Sequence, residues 1–137
     1  MSAPSEERFA PVAPEFFVPD VDRSIRFYRD VLGFTVLRRE EHSGMADFAV
    51  LGLGDAHFLI AHERLSTDKP LPERLGAGVD IRVMVDDVDA VYARVKAAGA
   101  EIPWDIGTRD YGLRDFKVRD PDGFVIRFAQ PLAAHRD

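Results

Sequence analysis

The chain of 137 residues contains no cysteine. That absence removes disulfide frameworks, thiolate zinc sites and cysteine nucleophiles together, so any chemistry must use carboxylates, histidine, arginine or hydroxyls. Long apolar runs are also missing. None approaches the roughly 20 residues of a membrane span, and the opening "MSAPSEERFAP" lacks the basic and apolar regions of a secretory signal. The expectation is a cytoplasmic protein with no membrane partner. Lys and Arg number 18 against 24 Asp and Glu, for a net charge of −6, and they form no cluster. No electrostatic footprint for a phosphate backbone results, so no nucleic-acid partner is expected. P-loop, dinucleotide glycine and serine-elbow patterns are absent, and "GLGDAH" leads into no helix, which makes it a hairpin turn.

What is there is a globular composition, 46% apolar and 31% charged, of one domain's length, 1–137. Such a chain buries about two thirds of its unfolded surface. One small unit occurs twice. "VPDVDRSIRFYRDVLGF" at 18–34 returns sixty-seven residues later as "VDDVDAVYARVKAAGAE". In the first copy Asp20 or Asp22 can cap a helix, Val21, Ile25, Tyr28 and Leu32 line one face of it, and Gly33 supplies a left-handed stop. In the second, Asp86 or Asp87 is the cap, Val88, Val91, Val95 and Ala98 the stripe, and Gly99 the stop.

Strand patterns surround each helix. "PEFFV" precedes the first, and "FTVLRRE", "MADFAVLGLG" and "HFLIAHE" follow it, with turns at Ser43-Gly44 and Gly54-Asp55. "VDIRVMV" precedes the second, and "EIPWD", "LRDFKVRD" and "FVIRFAQ" follow it, with a tight turn at Asp120-Pro121-Asp122-Gly123. The prediction is an α+β fold of two βαβββ modules, about 12–64 and 79–130, joined by a connector at 65–78. Neither module hides its strand face alone, so the two are expected side by side, with curved mixed sheets enclosing a cavity and the helices outside.

Over roughly residues 12–130 the sequence resembles the vicinal oxygen chelate superfamily of glyoxalases, extradiol dioxygenases, fosfomycin-modifying enzymes and bleomycin-resistance proteins. The carriers are the two repeated segments and "YGLRDFKVRDPDGFVIRF". Metal-using members draw histidines and glutamates from the first and last strand of each half. The resemblance puts Ala13, Asp80 and Arg127 at three of those places, and Ile60, Ala61 and His62 compete for the fourth. A methyl group cannot ligate and a guanidinium repels a cation, so the resemblance implies no metal and no cofactor.

Strand alternation sets Glu15 and Phe17 on one face, Asp80 and Arg82 on another, and Arg127 with Val125 on a third. These charges either neutralise one another, as Asp80 with Arg127 and Glu15 with Arg82, or one of them turns toward a ligand. Trp104, Tyr111 and Arg114 match the stretch where the bleomycin-resistance branch carries ring-stacking residues. Alternatively, Trp104 fills the core beneath the second helix and Tyr111 closes a turn. His42, His57, His62 and His135 form no metal-spaced group. The functional expectation is a metal-independent binder of a flat or amphipathic small molecule such as an antibiotic, commonly a homodimer in this branch, with the overall acidity suiting a cationic drug. The alternative is a lyase, isomerase or dioxygenase, either with displaced metal ligands or metal-free. In the metal-free case Glu15 or Asp80 would be the base, and Arg82 or Arg127 would hold an oxyanion. A third expectation is a scaffold domain with a collapsed cavity.

Overall fold

The computed structural model describes residues 9–133, and the chain divides into two compact units between Pro72 and Glu73. The first contains β1 (Glu15–Val18), α1 (Val21–Arg26), β2 (Thr35–His42), β3 (Met45–Leu53) and β4 (Ala56–His62). The second contains β5 (Asp80–Met84), α2 (Val88–Ala97), β6 (Glu101–Thr108), β7 (Leu113–Arg119) and β8 (Val125–Pro131). The strand orders are β1-β4-β3-β2 and β5-β8-β7-β6. In each, the first strand pairs in parallel with the last and the remaining pairs are antiparallel. The protein is therefore an α+β fold in which one βαβββ plan is built twice.

Local chemistry explains the agreement between the copies. Asp20 caps α1 by accepting from the Arg23 amide at 3.0 Å, and Asp87 caps α2 by accepting from the Ala90 amide at 3.1 Å. Both satisfy a first-turn donor that would otherwise lack a partner. Gly33 and Gly99 take φ of 86° and 74°, where a Cβ would be strained. The α1 stripe is buried as its spacing requires, at Val21, Ile25, Tyr28 and Leu32. Its final turn widens into π-helix over Phe27–Val31, a departure from the regular helix that the spacing predicts. Tyr28 then sits in an aromatic cluster, 5.5 Å from Phe34, 5.8 Å from Phe58 and 6.3 Å from Phe16 between ring centres.

In α2 the stripe is shorter than predicted. Val88 and Val95 are buried and Val91 is half-buried, but Ala98 is exposed, because the helix closes at Ala97 and Ala98 is its cap. α2 covers the sheet face carrying Phe116, Val118, Ile126 and Phe128, all fully buried. Tyr92 meets Phe116 edge-on at 5.2 Å, and Phe116 stacks on Phe128 at 5.8 Å. Full burial of each such side chain contributes about 1.5–3 kcal/mol before entropy is counted. The opposite face of this sheet carries the charges.

Candidate ligand-binding site

Pairing register places three rows of side chains across the charged face of β5-β8-β7-β6. Arg82, Arg127, Lys117 and Trp104 stand abreast in the middle row. Met84, Ala129, Asp115 and Gly107 form the row on one side, and Asp80, Val125, Arg119 and Glu101 the row on the other. Paired residues share a face because side chains alternate along each strand. The middle row therefore collects three cations and one indole.

Asp115 is the centre of this arrangement, and its carboxylate is fully buried. Arg109 donates to it from Nε at 2.7 Å, the Tyr111 hydroxyl at 2.8 Å and Arg127 from Nε at 2.9 Å. Burial alone would push the carboxyl pKa up. The bonds from Arg109, Tyr111 and Arg127 outweigh it and hold Asp115 below the usual carboxylate range. Burial and the same carboxylate raise the Tyr111 phenol. For Arg127, burial opposes the charge, yet Asp115 raises its pKa further. Arg127 also donates to the Tyr111 oxygen at 3.2 Å. Gly107 makes room for this: a Cβ there would lie 2.7 Å from the Arg109 guanidinium, which crosses the strand at that point.

Beside this cluster lies a groove of about 410 Å³ walled by Trp104, Pro103, Lys117, Arg119, Asp80 and Arg74. Trp104 owes its position to its strand. β6 is the sheet edge, and its register against β7 breaks between Glu101 and Trp104 and again between Trp104 and Gly107. Such breaks re-aim side chains, and Pro103 is tolerated because an edge strand does not need every donor. The indole is 37% exposed, with the Arg109 guanidinium 4.1 Å and the Lys117 ammonium 4.8 Å from its ring centre. It is not core beneath α2. The groove's far wall is the 74–78 loop, seated on the turn at 120–124. A Cβ on Gly76 would approach the Phe124 Cα to 2.8 Å, and one on Gly123 would approach the Leu75 carbonyl to 2.8 Å. The turn itself is fixed by Asp120, whose Oδ1 accepts from the amides of Asp122, Gly123 and Phe124, each at 2.9 Å.

Among the residues expected at a site, Asp80, Arg82, Trp104 and Arg127 share the charged face, and Tyr111 reaches it through Asp115. The ion pair expected between Asp80 and Arg127 is not formed. Asp80 binds the Lys117 ammonium at 2.6 Å across β8, and Arg127 binds Asp115 at 2.8 Å rather than Asp80, because the register sets Asp80 level with Val125 and the fully buried Asp115 carboxylate needs a paired charge. Arg114 lies on the opposite, helix-covered face, where it binds Asp89 of α2 at 2.9 Å. Its neighbour in alternation is Phe116, which is the signal that separates it from Asp115. Glu15 and Phe17 belong to the first unit, on one face of β1, exposed and half-buried respectively. Asp115, Arg109, Lys117 and Arg74 were not anticipated, although the alternation in "LRDFKVRD" already sets Asp115, Lys117 and Arg119 together. Of the positions considered for a metal, Ala13 has no donor atom, and His62 Nδ1 accepts from the Arg64 amide at 3.1 Å. Among the described residues no three of His, Cys, Asp and Glu come together in a metal-holding group, and no helix is long and apolar enough to cross a membrane.

Two βαβββ units of identical strand order, each ending in a strand inserted beside its first, define the class. The chain belongs to the glyoxalase/bleomycin resistance protein/dioxygenase superfamily, whose family model matches residues 8–128. It is 32% identical over 121 residues to a probable lactoylglutathione lyase of Vibrio cholerae serotype O1, covering 86% of this chain and 88% of the relative. It is 33% identical over 131 residues to a bleomycin resistance protein of Geobacillus stearothermophilus, covering 87% and 95%. Among solved structures it is similar to TioX from Micromonospora sp. ML1, with a TM-score of 0.74, 27% identity and coverage of 90% of this chain and all of that one.

Proposed function

We propose that the protein is a metal-independent binder of a flat or amphipathic small molecule, as antibiotic-sequestering members of its superfamily are, and that the groove beside Trp104 is the site. The observation that carries this reading is how the charged face is balanced. Asp80, the one carboxylate at an inferred ligand place in this unit, holds a lysine ammonium, and Arg127 holds Asp115. A divalent ion there would have to displace Lys117 and sit near a permanent guanidinium. A groove of about 410 Å³ with one indole wall and a few convergent polar groups has the make-up of a small-molecule site.

The binding reading is supported by the bleomycin resistance relatives, and we further propose, from the resemblance to that branch alone, that the protein is a cytoplasmic homodimer. Thermal unfolding tests it. Manganese, nickel, zinc and chelator should leave the midpoint unchanged, while a panel of flat aromatic and glycopeptide antibiotics should contain a compound that raises it saturably without being consumed. A rise with a divalent metal would overturn the reading in favour of a family enzyme with displaced ligands. That second reading is supported by the lactoylglutathione lyase relatives, and it requires turnover that chelation abolishes.

A further inference from the structure

Resting on the binding reading above, and going beyond it to the chemistry of the ligand, we propose that the groove selects planar molecules bearing an anionic oxygen group, with the ring against Trp104 and the anion at Arg74. The charge of the whole chain, −6, favours cations. The charge of the groove has the other sign. Of its lining residues, Lys117 is paired with Asp80 at 2.6 Å and Arg119 with Glu101 at 3.0 Å. Arg74 is exposed on the opposite wall and makes no hydrogen bond or ion pair among the described residues. Arg109 and Arg127 share the carboxylate of Asp115, and the Arg109 guanidinium over Trp104 also has the Asp105 carboxylate nearby, so the cation of the lining left without a partner among the described residues is Arg74.

An incoming carboxylate, sulfonate or phosphate thus meets a guanidinium with free donors, in the geometry that planar oxyanions match with two parallel bonds. A cationic ligand meets no carboxylate without a partner, since Asp80 is held by Lys117 and Asp115 by three donors. The indole supplies the apolar part of the recognition, because a flat ring can cover its exposed third at little entropic cost. The wall that carries Arg74 is seated on the turn below it through the close backbone approaches at Gly76 and Gly123.

The test uses the chain's single tryptophan, which is Trp104 itself, as the reporter. Three non-fluorescent quenchers of one shape are titrated into the full-length protein: nitronaphthoate, its neutral amide and the nitronaphthylmethylammonium ion. The carboxylate should quench saturably and bind about tenfold or more tighter than the amide, with the ammonium weakest, as one charge-assisted contact at a half-exposed site provides. Arg74→Gln should remove most of that advantage without changing the amide's affinity or the melting temperature. If the amide or the ammonium binds as tightly as the carboxylate, the anion preference is wrong while binding in the groove stands. An anion preference that survives Arg74→Gln would overturn the role of Arg74. Failure of all three to quench saturably would remove the groove as a site and the binding reading with it.

Discussion

Replacing Asp115 with asparagine keeps the shape and removes the charge that two guanidiniums share. The expected cost is about 3 kcal/mol in urea unfolding, because the buried carboxylate is lost to Arg109 and Arg127 at once. The pH dependence gives a second signature. Asp115 has its folded pKa below the unfolded value of about 3.9, so its contribution is complete above that pH and disappears as pH falls through the lower, folded value. The stability gap between wild type and Asp115→Asn should therefore be constant at neutral pH and close in acid; a gap independent of pH down to acid unfolding would refute the charged role. Arg127→Ala should cost only about 1–2 kcal/mol, because Arg109 and Tyr111 still hold the carboxylate. Arg114→Gln breaks one exposed pair with Asp89 and should change stability by less than about 1 kcal/mol, leaving Trp104 quenching untouched.

At the level of elements, the groove depends on a backbone seat rather than on side-chain contacts. Gly76→Ala places a Cβ against the Phe124 Cα at a φ of 78°, a clash that no side-chain rotation relieves. The expected result is destabilisation of more than about 1 kcal/mol, with a shifted Trp104 emission maximum as the loop leaves the turn; Gly44→Ala, with the same φ and open space around it, should leave the emission unchanged. Stops, turns, the α1 stripe and most of the α2 stripe were legible because each follows from local rules of period and φ; these rules place Gly33 and Gly99 and narrow each cap to two aspartates, between which the folded chain chooses Asp20 and Asp87. Ala98 escaped them because the last turn of a stripe has the period but not the length. The orientation of Trp104 was not legible, since two register breaks in β6 depend on the partner strand. The site was half legible. Alternation along β7 separates Asp115 from Arg114 within two residues, whereas the arrival of Arg109 at Asp115 depends on the space above Gly107, which only the folded sheet reveals.

For the whole molecule, the net charge of −6 and the local surplus of positive charge near Trp104 act over different ranges. At physiological salt the screening length is about 8 Å, so only the nearby guanidiniums are felt by a ligand inside the groove. Sedimentation equilibrium should give twice the 15.4 kDa of one chain if the homodimer reading holds, and a monomer at micromolar concentration would reject it. The order of strands carries one more consequence. Because β4 lies between β1 and β3, and β8 between β5 and β7, each first strand lacks a partner until its module's last strand exists. During synthesis the nascent chain must therefore hold β1 open until His62 has left the ribosome, and β5 until Pro131 has. A stall or truncation ahead of either point strands two sheet edges at once, which makes ribosome pausing a condition under which this sequence is exposed to aggregation.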